Sequence, residues 1–239
     1  MPSPFATRLP SRYDRRAPRR RSLRLAAVAA ALAGAAALAA APARAFAPDL
    51  QGDFLPTYTG PQGGDLDVLF AYGLWDPARE VFSFGGVMSA PIGTTAGALY
   101  VWGIDRGAGT ERFVGGSPSI GAGVFFDSVV VLDPTHSVYT VNLFNGTSIA
   151  LDAAAVEVSG NTIVVDVPAA DLPTMGRSFA QYGWNLWPRL GAGNAAISDF
   201  APDAATPRVV TVSAVPEPAS FALMLAGGAL VAGARLRRR

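Results

Sequence analysis

Three aspartates beside predicted strands carry the chemistry that this sequence supports most readily. Asp65 and Asp67 flank Leu66 at the start of a strand, so both carboxylates would lie on one face, and Asp105 closes a later strand. Calcium binds six to eight oxygens of carboxylates and carbonyls. The sequence requires no cofactor, and these residues would favour calcium if the chain holds one. Solvated acids on an acidic surface are the alternative. Three further acids could join such a cluster: Asp49, Asp53 and Asp76.

Catalytic groups are sparse in this chain. His136 is the only histidine, there is no cysteine, and the glycines around Ser117 do not complete a G-x-S-x-G nucleophile motif. The sequence therefore predicts a protein that is not an enzyme, with His136 in an exposed turn. A secreted glycoside hydrolase stays open as an alternative, because two facing carboxylates are what that chemistry needs.

Tryptophan is the second residue type with a chemical use, since its face can stack on a sugar ring. A carbohydrate-binding function predicts that one or two of the four tryptophans are exposed, whereas packing in the core is the alternative. On a strand, Trp184 and Trp187 point to opposite faces, so at least one of them should be buried. The four candidates are Trp75, Trp102, Trp184 and Trp187.

The charge of the chain is distributed unevenly, although its net value is only +1. Nine arginines precede residue 46, four close the chain, and there is no lysine. Residues 46–215 hold six arginines against sixteen aspartates and glutamates, a net charge of −10. Such a domain repels phosphate, which excludes nucleic acid as a partner. The absence of cysteine excludes a disulfide framework.

The central part of the chain must position these side chains, and its pattern is that of strands separated by turns. Short runs rich in valine, isoleucine and aromatic residues alternate with glycine and proline, which predicts an all-β domain of the β-sandwich or jelly-roll kind. Asn145 and Gly146, and the segment 159–161, favour hairpin turns. The predicted strands are residues 66–72, 80–88, 98–104, 124–132, 137–144, 155–158, 162–167, 179–187 and 208–212.

The N-terminal 45 residues have the order of a secretory signal peptide. A basic segment precedes an apolar run over residues 25–41, and Ala43 and Ala45 provide the small residues of a cleavage site before Phe46. We expect a signal helix that signal peptidase and the export machinery recognise. A retained transmembrane anchor is the alternative, because the apolar run is 17 residues long.

The C-terminus has three parts in order: Pro216, Glu217 and Pro218, an apolar run of 14 residues over 221–234, and an arginine cluster. This sequence resembles the PEP-CTERM sorting signal. The resemblance implies a substrate of exosortase, a membrane protease, which would recognise the Pro-Glu-Pro sequence and remove the tail. It also implies a producer of exopolysaccharide, a further candidate partner. An ordinary C-terminal anchor is the alternative.

Both ends predict the same topology, since a terminal arginine cluster belongs on the cytoplasmic side and leaves the acidic domain outside. We expect a signal peptide (1–45), a β-sandwich domain (46–214), and a sorting signal with a short transmembrane helix (215–239). The protein would be anchored transiently in the inner membrane and then reach the cell surface or extracellular matrix. The expected function is a noncatalytic surface or matrix protein. The alternatives are an exopolysaccharide-binding module and a glycoside hydrolase.

Overall fold

The computed structural model describes residues 46–212, which form eleven strands and several 3-10 turns. No helix in this range has the length and apolar character that a membrane crossing requires. The predicted signal helix and C-terminal transmembrane helix lie outside the described residues. The strands are β1 (Phe46–Pro48), β2 (Val68–Asp76), β3 (Val81–Met88), β4 (Ala98–Asp105), β5 (Ser128–Asp133), β6 (Val138–Asn142), β7 (Ser148–Ala150), β8 (Val156–Ser159), β9 (Thr162–Pro168), β10 (Gly183–Leu190) and β11 (Val210–Thr211).

The strands form two sheets. The first has the order β1-β2-β3-β9-β8, with β11 added beside β2, and the second has the order β10-β4-β5-β6-β7. All pairings are antiparallel except the short parallel pairing of β11 with β2. The all-β prediction is therefore confirmed for the described residues. Both sheets contribute inward-facing side chains to one apolar core, so the arrangement is sandwich-like.

The shared core follows from the two-residue period of the strands. On β4, Tyr100, Trp102 and Ile104 face inward and are fully buried. They meet residues of the opposite sheet, such as Phe82 and Val165, in the same cluster. Each buried large side chain of this kind contributes about 1.5–3 kcal/mol to folding.

A second apolar cluster covers the outer face of the five-stranded sheet. Val101 of β4 and Trp187 of β10 are register partners on that face. The long β4–β5 connection folds back over them and adds Phe113 and Phe126. As a result, this sheet is covered on both faces over part of its area.

Strand glycines make room for aromatic rings at several points in the sheets. Gly103 of β4 pairs with Asn185 and Val129 on its two neighbours. A Cβ at Gly103 would collide with the indole ring of Trp187 and lie 3.1 Å from the Cβ of Phe126. The missing side chain is therefore what lets Trp187 lie against the sheet.

We predict that Gly103→Ala lowers the free energy of unfolding by about 1–3 kcal/mol, because the added methyl group overpacks a filled site. Thermal unfolding measures this as a midpoint lower by about 2–4 °C for each kcal/mol. Gly115→Ala is the matched control, since a Cβ there has no neighbour within 4 Å. Equal midpoints for the two variants would contradict the packing argument.

Each of the nine predicted strands has a counterpart among the eleven strands of the structure, but their ends differ. The hairpins at Asn145–Gly146 and at 159–161 are confirmed by the pairings of β6 with β7 and of β8 with β9. The largest differences are at two starts: β5 starts at Ser128 instead of 124, and residues 179–181 form a 3-10 turn before β10. The short strands β1 and β7 were not predicted.

Candidate functional site

Five aspartates lie close together beside the pairing of β1 with β2 at the edge of the first sheet. Asp49 follows β1 and Asp67 precedes β2, and these two strands are antiparallel partners. Asp53 lies in the connection between them, and the segment after β10 adds Asp199 and Asp203. We call these five residues the carboxylate cluster.

The cluster consists of two overlapping groups of three. Asp53, Asp67 and Asp199 each offer one carboxylate oxygen, and these oxygens all lie within 4.8 Å of one another. Asp49, Asp53 and Asp203 satisfy the same limit. Asp53 belongs to both groups and is therefore their link.

Backbone N–H groups fix the two buried members of the cluster. Val68 donates its N–H to Oδ2 of Asp199 at 2.9 Å, and Phe200 donates to Oδ1 at 2.8 Å. Gly52 donates to both oxygens of Asp67 at 3.0 Å. These bonds hold the two carboxylates in place.

The other members contain oxygens that the protein leaves unsatisfied. Oδ2 of Asp49 and Oδ1 of Asp53 are buried and accept no hydrogen bond from the described residues. Within residues 46–212, no arginine or histidine forms an ion pair with any of the five aspartates. Buried oxygens of this kind normally have a partner, so the site has free acceptors and excess negative charge.

The electrostatics of the cluster oppose its ionisation. Burial, together with the charges of Asp53 and Asp203, raises the pKa of Asp49 to about 7. Burial, backed by the charges of Asp49 and Asp53, raises the pKa of Asp199 to about 8, against its N–H bonds from Val68 and Phe200. A divalent cation would reverse this effect, because it stabilises the ionised carboxylates.

The donor set fits a hard cation. Carboxylate oxygens are the ligands that calcium prefers, and calcium tolerates irregular geometry with six to eight oxygens. The unsatisfied oxygens of Asp49 and Asp53 provide acceptors that the fold itself does not use. The residues that would hold the ion are Asp53 with the buried Asp67 and Asp199, or Asp53 with Asp49 and the exposed Asp203.

Of the three ligands predicted from the sequence, only Asp67 lies in the cluster. Residues 64–66 form a 3-10 turn and β2 starts at Val68, so Asp65 does not share a strand face with Asp67. Asp65 instead accepts from the backbone N–H and hydroxyl of Thr95 at 2.7 and 2.6 Å.

Asp105 also lies outside the carboxylate cluster and is bonded to other groups. It accepts from the N–H groups of Gly107 and Gly109 at 3.0 and 3.1 Å and forms an ion pair with Arg177. Asp76 accepts from backbone N–H groups of the β2–β3 turn. These two residues stabilise loops and do not reach the cluster.

Asp199 and Asp203 were not predicted as members of the site. Asp199 is fully buried within the apolar stretch 196–201. A charged residue in such a stretch is the signal that could have identified it, because a buried carboxylate needs partners. Asp203 carries no comparable signal in the sequence.

The four tryptophans do not form a sugar-binding face, which contradicts the carbohydrate-binding alternative, since that alternative requires one or two of them to be exposed. Trp102 and Trp184 are 0 % exposed, Trp187 is 2 % exposed and Trp75 is 6 % exposed. Trp184 and Trp187 do face opposite sides of β10, as predicted, but the second apolar cluster buries the outer one as well. His136 lies in an exposed turn, as expected, and its Nδ1 is 2.7 Å from Oδ2 of Asp133.

The C-terminal segment is the part of the chain that matches a known protein family. Residues 214–239 match the family model described as PEP-CTERM protein-sorting motif. The chain carries a PEP-CTERM sorting motif. No curated protein and no solved structure matches the chain. The PEP-CTERM match includes Pro216, Glu217 and Pro218, which lie outside the described residues.

A PEP-CTERM motif indicates a protein that is exported, recognised by exosortase and sorted to the cell surface. The predicted signal cleavage residues Ala43 and Ala45 also lie outside the described range. Phe46, the residue after the predicted cleavage, is the first residue of β1 and pairs with Tyr72. The cleavage itself stays a prediction.

Proposed function

We propose that the chain is a noncatalytic protein of the cell surface or extracellular matrix, released there when exosortase acts at Pro216, Glu217 and Pro218. The observation that carries this proposal is the PEP-CTERM motif. The producer's exopolysaccharide is the matrix that such a protein would join.

The use of the polar groups in the domain supports a noncatalytic role. Asp65, Asp105 and Asp127 are buried and accept hydrogen bonds from backbone N–H groups of loops: Asp65 from Thr95, Asp105 from Gly107 and Asp127 from Ala108. Asp67 and Asp199 are 2 % and 0 % exposed, so a sugar cannot enter between them. These buried carboxylates do not offer the accessible acid and base that a hydrolase needs.

We further propose that calcium binds the carboxylate cluster and stabilises the N-terminal edge of the domain. Support comes from the unsatisfied oxygens of Asp49 and Asp53 and from the lack of a cationic partner among residues 46–212. Export favours this proposal, because an exported protein can take the ion from its surroundings outside the cell.

The sorting proposal predicts a mature protein that lacks its C-terminal tail. Mass spectrometry of the protein from wild-type cells should find no peptide from residues 219–239, whereas a strain without exosortase should retain them. Glu217→Ala should behave like the exosortase deletion and leave the protein in the membrane fraction, because the recognised sequence is altered.

Glu157→Ala is the matched control, since it removes one glutamate from an exposed strand position and should leave processing unchanged. Fractions of washed cells, extracellular matrix and medium are compared for each strain. A tail that persists in the wild-type surface protein would contradict the proposal, and so would normal processing of Glu217→Ala.

A further inference from the structure

The outer face of the five-stranded sheet carries a groove that the proposed function does not use. Its floor consists of residues that point away from the shared core: Leu99 and Val101 of β4, Val131 of β5 and Trp187 of β10. Aromatic side chains of the β4–β5 and β6–β7 connections form its walls. The volume of about 510 Å³ lies within the range of roughly 300–1,000 Å³ of small-molecule sites.

The groove is positively charged in an acidic domain. Three of the six arginines of residues 46–215 form ion pairs with aspartates: Arg79, Arg106 and Arg177. Arg112 and Arg189 both line the groove and form no ion pair with a carboxylate of the described residues. No aspartate or glutamate is among the lining residues. The positive charge of the groove is therefore not neutralised by the domain itself.

Backbone carbonyls hold both guanidinium groups in place. Arg112 donates through Nε to the carbonyl of Phe126 at 3.2 Å, and its guanidinium lies 4.4 Å from the ring centroid of Phe144. Arg189 donates to the carbonyls of Gly191 and Gly193 at 2.9 and 3.1 Å. A guanidinium has five N–H donors, so each arginine keeps further donors for a ligand.

Arg189 is only partly exposed where it lines the groove. Burial lowers the pKa of Arg189, and a neighbouring anion would offset this penalty on the charged form. A ligand that brings negative charge would therefore be favoured beside Arg189.

We propose that this groove binds a small amphipathic carboxylate. Its apolar body lies on the floor formed by Leu99, Val101 and Val131, and its carboxylate is held by Arg112 and Arg189. An uncharged apolar molecule would leave the arginines unpaired, and a purely polar acid would leave the apolar floor uncovered. Only a ligand with an apolar body and a carboxylate contacts the apolar floor and also pairs with the two arginines.

Calorimetric titration of the secreted protein with decanoate, below its micelle concentration, tests the proposal. We expect decanoate to bind saturably at one site. Decanol and glucuronate should each bind more weakly than decanoate by a factor of about ten or more. Arg112→Glu should weaken decanoate binding about tenfold or more. Val131→Thr, a smaller change at the floor, should weaken it a few-fold through lost apolar contact.

Two matched variants control for general effects of charge and stability. Arg208→Glu reverses an exposed arginine outside the groove, and Val138→Thr alters an exposed valine of β6. Both should bind decanoate as the parent protein does, and thermal unfolding verifies that all variants are folded. The proposal is overturned if decanoate does not saturate, if folded Arg112→Glu binds it normally, or if decanol or glucuronate binds as tightly.

Discussion

Calcium is expected to raise the midpoint of thermal unfolding at pH 8 by about 5–10 °C when it is added to the metal-free protein at a hundred times its dissociation constant. A ligand at that concentration stabilises the folded state by about 2.7 kcal/mol. In a domain of this size, 1 kcal/mol moves the midpoint by about 2–4 °C. The carboxylate cluster is the expected site, because Asp49 and Asp53 retain buried oxygens without partners.

The effect should depend on pH, with a sign fixed by the raised carboxyl pKa values. The pKa rises from 3.8 to about 7 for Asp49 and to about 8 for Asp199. Between about pH 4 and 8 the folded state thus binds more protons at these two groups than the unfolded chain does. The contribution of the two groups to the stability of the metal-free protein is therefore full below about pH 4, and it is lost as pH rises through 7 and 8. Calcium should therefore stabilise strongly at pH 8 and weakly at pH 5.

Asp53→Asn is the most direct test of the calcium site, because Asp53 belongs to both groups of the carboxylate cluster. Removing its charge should abolish the calcium shift and should make the metal-free protein more stable at pH 8, since repulsion is relieved. Glu157→Gln removes an exposed carboxylate elsewhere and should keep the full shift. A shift that survives in Asp53→Asn, or that is equal at pH 5 and pH 8, would contradict the assignment.

The faces of the strands follow a two-residue period, which is a local property of the sequence. Tyr100, Trp102 and Ile104 alternate with Leu99 and Val101, and this alternation divides β4 between the shared core and the outer face. The very short strands β1 and β7 carry too few residues to display a period, which explains why they were missed.

The carboxylate cluster could not be predicted in full, since it depends on chain topology. Asp49 and Asp67 come together through the pairing of β1 with β2, but Asp199 reaches them from a segment more than 130 residues later in the chain. No local pattern encodes that meeting. Burial of both Trp184 and Trp187 could not be predicted for a related reason, because only the fold reveals that a loop covers Trp187 on the outer face.

Loss of the buried ion pair between Arg106 and Asp127 is expected to have the largest effect on stability. Arg106→Met should lower the free energy of unfolding by about 3–5 kcal/mol, because it leaves a buried carboxylate without its cation. The side chains are 3 % and 5 % exposed, and Nε of Arg106 lies 2.7 Å from Oδ1 of Asp127. Arg106 also donates to the carbonyl of Pro173 at 2.9 Å. Urea unfolding at constant pH measures the difference.

A surface pair provides the comparison that isolates burial as the cause. Arg79 and Asp166 lie 2.8 Å apart with side chains 60 % and 35 % exposed, so Arg79→Met should cost at most about 1 kcal/mol. Arg106→Met/Asp127→Asn should be less destabilised than the sum of its single variants, since no uncompensated charge remains buried. Equal costs for Arg106→Met and Arg79→Met would contradict this argument. Because Arg106 follows β4 and Asp127 precedes β5, their bond joins the two ends of the loop that covers Trp187.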